Sequence, residues 1–311
     1  MSSQTPPTLT ITLPTSPLPL SYAVYGSPSP DAPTVFYFHG FPASHHEAAL
    51  LHPAALSRDI RLIAPSRPGM GLSSFDPDRS IASWPATVLA LADHPAIKAS
   101  TFAVLGTSGG APYVLACCKA LPSSRLRAAG IISGLYPVSL GLAGMLPEAR
   151  LLLWLAPWWT GLVERMLQWG VGSAASEGVD SGQLEKVLDR GMRSRPGPDR
   201  KVWEDNEDGV REVLIESVRG AFREGGAKGA AWESRLFGSW WGFDLEDVKL
   251  EEGKLVLWHS EGDLNSPVAM ARKAHELLRG SELRVASDEA HMSLLVHRYE
   301  EVLDVLKARA V

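Results

Sequence analysis

A short β-prone run followed at once by a glycine-flanked serine and a helix-forming run leaves a chain few ways to fold. Residues 101–121 read TFAVLGTSGGAPYVLACCKAL. The apolar run 101–105 is expected to be a strand and the Ala- and Leu-rich run 111–121 a helix. Between them, Gly106-Thr107-Ser108-Gly109-Gly110 is a complete Gly-x-Ser-x-Gly. A strand that turns directly into a helix forces its central residue into a strained backbone geometry, and small residues two positions either side let the two backbones pass closely. Such a turn lifts the Ser108 hydroxyl clear of the sheet at a helix N-terminus, where free N–H groups favour developing negative charge. An ordinary glycine turn in a βα unit has the same composition, so the rest of the chain must discriminate.

Strand and helix signals alternate on both sides of this stretch. Runs 8–13 and 20–25 alternate in hydropathy, and 34–39 is continuously apolar, the mark of a strand buried on both faces. Helical spacing over 44–57, a strand at 61–64, a turn-rich loop at 65–74 and a helix over 84–93 follow. After the central stretch comes a strand at 127–133. The rhythm stops at Gly134. Only helical patterns appear from there to about 243, with Gly/Pro-rich breaks at 195–198 and 225–229 and eight of the ten tryptophans (154, 158, 159, 169, 203, 232, 240 and 241). It then resumes as strand 254–259, helix 267–278, strand 283–286 and helix 293–306. Alternation of this kind predicts an α/β protein with a mostly parallel sheet covered on both faces. Residues 1–133 and 243–311 would form the core, and 134–242 a helical lid inserted into it.

Bulk properties narrow the partners. A formal charge of -5 without a basic cluster argues against nucleic acid. The two cysteines, Cys117 and Cys118, are adjacent on a predicted helix and face different ways, so free buried thiols and a reducing, cytoplasmic setting are expected. No secretory signal is evident, and the most apolar stretch, 151–163, is shorter than the ~20 residues needed to span a bilayer. It reads as an amphipathic segment that covers a pocket or touches a membrane surface. Neither Gly-x-Gly-x-x-Gly nor a Walker A sequence occurs, so no nucleotide cofactor is indicated. His45, His46, Glu47 and His52 lack zinc-helix spacing and read as a solvated helix start rather than a metal site.

A serine hydroxyl becomes a useful nucleophile only when a base takes its proton, and that base needs an orienting carboxylate. Asp263 follows the strand 254–259, and His291 follows the strand 283–286. Loops after the C-terminal ends of parallel strands share one edge of the sheet, so both would meet Ser108 there. The order Ser, Asp, His is that of an α/β-hydrolase triad. Asp263 also suits a turn or cap ahead of Pro267; Asp244 and Asp247 are rival acids, and His259, His275 and His297 rival bases. For the oxyanion, Gly109 N–H follows the nucleophile, and Phe41 N–H lies in the loop after strand 34–39, beside Gly40 and a proline without an N–H.

Together these blocks resemble the α/β-hydrolase superfamily, most closely its lidded serine-hydrolase branch. They are His39-Gly40-Phe41-Pro42, Arg67-Pro68-Gly69-Met70-Gly71, the Gly-x-Ser-Gly-Gly-x-Pro-Tyr stretch 106–113, and the late blocks 259–267 and 288–294. The resemblance implies an eight-stranded sheet, a Ser108–His291–Asp263 triad, an oxyanion hole and no cofactor. Serine at 108 departs from the aspartate of the epoxide hydrolase and haloalkane dehalogenase branches. It implies hydrolysis of an ester, thioester, lactone, amide or C–C bond, in an apolar small molecule enclosed by the aromatic, Leu-rich lid. The superfamily also hosts receptor-like binders with little turnover and non-hydrolytic lyases, so the fold alone leaves these open.

Overall fold

The computed structural model describes residues 6–14, 16–223, 225–249 and 251–310. Its eight strands are β1 (Leu9–Leu13), β2 (Ser16–Gly26), β3 (Thr34–Phe38), β4 (Arg61–Pro65), β5 (Phe102–Thr107), β6 (Leu126–Ile132), β7 (Leu255–Ser260) and β8 (Glu282–Ala286). They form one sheet in the order β1-β2-β4-β3-β5-β6-β7-β8. β1–β2 and β2–β4 pair antiparallel, and every later pair is parallel.

The apolar run of β3 is continuous because both its faces are covered. Phe36 and Phe38 enter one core, with α2 (Trp84–Asp93) and α3 (Ala111–Ala120). Val35 and Tyr37 enter the other, with α1 (His52–Ser57) and the C-terminal helix. Cys117 and Cys118 are buried free thiols on α3, as their spacing predicted.

Among the described residues, 134–242 holds helices and no strand. These are α4 (Pro147–Leu155), α5 (Thr160–Leu167), α6 (Ser173–Ala175), α7 (Ser181–Met192), α8 (Gly197–Asp205), α9 (Val210–Ala221) and α10 (Lys228–Gly238), joined by short 3-10 and π turns. The core resumes with α11 (Val268–Leu277) and ends with α12 (His291–Ala310). The apolar stretch 151–163 is two helices, α4 and α5, interrupted where Pro157 lacks an N–H to continue the ladder. No helix among the described residues is long and apolar enough to cross a membrane.

Two expectations need correction. The tryptophans of 134–242 do not line the main apolar cavity beside Ser108: Trp203 and Trp241 are buried in the cores, Trp203 bordering only a smaller cavity, while Trp158, Trp169 and Trp240 are 76%, 90% and 74% exposed. The apolar enclosure comes from leucine, methionine and valine instead. The 45–52 cluster is not a solvated helix start either, since His45 and Glu47 are buried. His45 Nδ1 pairs with Ser66 Oγ at 2.7 Å, and Glu47 turns inward onto the β3 loop. No group of side chains that could hold a metal occurs among the described residues.

Candidate active site

Four loops meet at the C-terminal edge of the parallel strands: residues 39–42 after β3, 108–110 after β5, 261–266 after β7 and 287–290 after β8. The β5 turn has the strained geometry its glycines predicted. Ser108 sits at φ +52°, a region that residues with a Cβ rarely adopt. The glycines are steric necessities. A Cβ at Gly110 would lie 2.1 Å from Phe38 O, and one at Gly106 would lie 2.7 Å from Val114 Cγ2. Strand, turn and helix can therefore nest only without those side chains.

Asp263 and His291 are brought together. Asp263 Oδ2 lies 2.8 Å from His291 Nδ1, and Asp263 is 2% exposed. Its Oδ1 accepts the N–H groups of Asn265 and Ser266, each at 2.8 Å. One oxygen therefore closes the turn and the other faces the imidazole, so the two readings of Asp263 are compatible. Burial works to raise the Asp263 pKa, but His291, His259 and the Ser266 N–H together hold it below the usual aspartate value. For His291, burial opposes the charged form, yet the Asp263 carboxylate prevails and its pKa stands above the ordinary 6.5. Nδ1 is committed to Asp263, which leaves Nε2 as the nitrogen available to a nucleophile.

Ser108, His291, Phe41 and Gly109 share the wall of a cavity of about 400 Å³, otherwise lined mainly by apolar side chains of 145–167 and Phe237. The Ser108 hydroxyl and His291 also face a second cavity of about 190 Å³ on the side of Glu47, Asp199 and Trp203. The hydroxyl makes no hydrogen bond among the described residues. Such contacts commonly tighten only when substrate arrives. A larger surface hollow of about 620 Å³, between residues 137–140 and 238–247, holds none of these groups.

The β3 loop is held from behind. Gly40 N–H donates to Glu47 Oε1 at 2.9 Å, and Tyr37 O–H donates to the same oxygen at 2.6 Å. Burial raises the Glu47 pKa. Arg67 donates to His39 O and Gly40 O at 2.6 and 2.8 Å. Phe41 N–H donates to no acceptor among the described residues, so it remains free for a ligand oxygen beside Gly109. The Phe41–Pro42 peptide is cis.

Arg67 is itself paired with Glu233 of α10 at 2.6 Å, and Arg79 meets the same carboxylate at 2.5 Å. Burial would raise the Glu233 pKa, but the two guanidiniums keep it below normal. This buried triad joins the 134–242 segment to the β3 loop. Sequence reasoning noted the Arg67 block without its role and missed Glu233. The available signal was an acid directly after the small and apolar run Gly229-Ala230-Ala231-Trp232.

The rival residues fall elsewhere. His259 lies behind Asp263, fully buried, with Nε2 on Ser266 O at 2.6 Å; burial lowers its pKa below the usual histidine value. His275 pairs with Ser281 and His297 with Glu289. Asp247 accepts the Asp244 N–H in a local cap.

The sequence model of the alpha/beta hydrolase family matches residues 35–305. The chain belongs to that family. As an α/β-hydrolase enzyme it shares its whole architecture with solved structures of low sequence identity. An enol-lactonase from Burkholderia xenovorans is 17% identical with a TM-score of 0.67, over 96% of this chain and 100% of that one. An esterase from Rhodococcus sp. is 17% identical with a TM-score of 0.66, over 97% and 99%. An esterase from Exiguobacterium antarcticum is 14% identical with a TM-score of 0.65, over 96% and 98%. No curated protein matches this α/β-hydrolase significantly by sequence.

Proposed function

We propose that this α/β-hydrolase is a serine hydrolase that cleaves an ester, lactone or thioester, or a C–C bond, of an apolar small molecule. The observation that carries the proposal is a strained Ser108 and an Asp263-paired His291 lining one apolar cavity. Ser108 Oγ attacks the carbonyl carbon while His291 Nε2 takes its proton. Phe41 and Gly109 N–H groups hold the oxyanion that forms. His291 then gives its proton to the leaving group as the acyl bond breaks. Water attacks the acyl-serine, with His291 again as base, and releases the acid. Asp263 fixes the imidazole tautomer and stabilises the imidazolium. Residues 1–133 and 243–311 act as the core and 134–242 as the lid. The esterases and the enol-lactonase among the structural neighbours act on the same class of bond.

A fluorophosphonate probe and a panel of aryl esters, lactones and thioesters test the reading. The wild type is expected to be labelled, Ser108→Ala to be unlabelled, and the product acid to carry oxygen from labelled water. An unlabelled wild type that binds ligand without turnover would point to a receptor-like protein. A product without solvent oxygen would point to elimination or cyclisation.

A further inference from the structure

The Gly/Pro-rich break at 195–198 reaches down from the helical segment onto the catalytic pair. Arg195, in the loop after α7, donates from Nη1 to Asn265 Oδ1 at 2.7 Å. Asn265 N–H in turn donates to Asp263 Oδ1. Four residues on, Asp199 in the first turn of α8 is 2% exposed. Its Oδ1 accepts the N–H groups of Met292 and Ser293 at 2.8 and 2.9 Å. These are among the unpaired N–H groups of the first turn of α12, the helix that His291 opens. Capping is normally local, by a residue just before the helix. Here the cap comes from a residue 93 positions before Met292, and α8 packs along α12.

We propose that Arg195 and Asp199 form a clamp that sets the Asp263–His291 geometry, so that the helical segment positions the catalytic base as well as shaping the pocket. The inference rests on the serine-hydrolase reading above. One arm of the clamp holds the acid's turn and the other holds the helix start that carries the base. Both arms leave from one short stretch of the lid, so displacing that stretch releases both at once. Arg195 and Asp199 are positioning residues. They act through Asn265 and through the α12 backbone.

The clamp also sets the charge around the imidazole. The groups facing His291 are Asp263, Asp199, Arg195, Glu47 and, behind Asp263, His259. Asp199 favours the imidazolium and Arg195 disfavours it. Burial raises the pKa of Asp199 itself, while the α12 N–H groups and His291 oppose that rise.

The test compares Asp199→Ala, Asp199→Asn and Arg195→Gln with wild type. It measures kcat, KM and the pH profile on an aryl ester, fluorophosphonate labelling rate, and thermal midpoint. Asp199→Ala removes the acceptor, and kcat is expected to fall about 10- to 100-fold with KM little altered, as for a small misplacement of a catalytic group. Asn can still accept, so Asp199→Asn is expected to recover most of kcat. The acid-limb midpoint should move down in both Asp199 variants and up in Arg195→Gln. Opposite shifts are not produced by a lid that is merely loosened.

The clamp is overturned if Asp199→Ala keeps the wild-type kcat and midpoint, or if the variants alter KM alone. If Asp199→Ala does not fold, the other two variants carry the test. If wild type is neither labelled nor active on any ester, the hydrolase reading fails on its own. Titration of the His291 imidazole by NMR in Asp199→Asn and Arg195→Gln then decides the clamp: opposite shifts support it and no shift overturns it.

Discussion

Asp263 divides its carboxylate between two tasks: Oδ2 lies 2.8 Å from Nδ1 of His291, while Oδ1 closes its own turn on the N–H groups of Asn265 and Ser266. An amide in its place can still accept for the turn. It cannot favour an imidazolium or fix the tautomer equally well. Asp263→Asn is therefore expected to fold but to lose roughly 10³- to 10⁴-fold in kcat. Ester turnover together with a thermal midpoint checks this; a loss under tenfold would remove Asp263 from the triad.

The same pair sets the pH dependence. In the proposed mechanism His291 must be neutral to take the Ser108 proton, and its pKa is raised above 6.5. The kcat/KM profile should rise with pH through a midpoint above that value. In Asp263→Asn the midpoint should fall. For stability the sign is split. The raised His291 contributes fully below its unfolded pKa and loses that contribution as pH rises through its folded value. The depressed Asp263 contributes above its unfolded pKa and loses that contribution as pH falls through its folded value. Denaturant midpoints across pH, wild type against Asp263→Asn, would reveal both limbs.

Glu233 is 0% exposed between Arg67 and Arg79. Glu233→Ala leaves two buried guanidiniums facing each other without an anion, a change worth roughly 3–5 kcal/mol of stability. Activity should fall as well, because Arg67 grips His39 O and Gly40 O behind the Phe41 donor. Urea unfolding measures the first effect. A loss below about 1 kcal/mol would mean that the triad does not tie the segment to the core.

Two glycines should respond in opposite directions. A Cβ at Gly110 meets the Phe38 carbonyl at 2.1 Å, so Gly110→Ala must push β3 away from α3 and cost at least about 1–3 kcal/mol, with activity. A Cβ at Gly161, inside α5, meets nothing within 4 Å. Gly161→Ala should stabilise by about 0.5–1 kcal/mol, since glycine is the poorer helix former. Equal effects at the two sites would refute the steric account of the Ser108 turn.

Much of the architecture was legible in local pattern. A strand buried on both faces shows as an unbroken apolar run, as 34–38 does, and a strand-to-helix turn announces itself by its glycines at 106, 109 and 110. The sites of Ser108, Asp263 and His291 followed from their places just after strands. What misled was exposure. His45 and Glu47 look like surface residues because charge usually seeks water, but Ser66, Tyr37 and the Gly40 N–H satisfy them inside. The tryptophans look like core because they are apolar, yet Trp158 and Trp169 stand in solvent.

The sequence by itself determined the βα alternation, the serine turn and the order of the candidate triad, because these depend on residues near one another along the chain. Only the tertiary structure decided that Glu233 lies between Arg67 and Arg79, that Asp199 caps the helix of His291, and that leucines rather than tryptophans line the cavity. Those facts depend on how segments distant in sequence dock, and a buried charge reveals its partner only once docking has brought the two together.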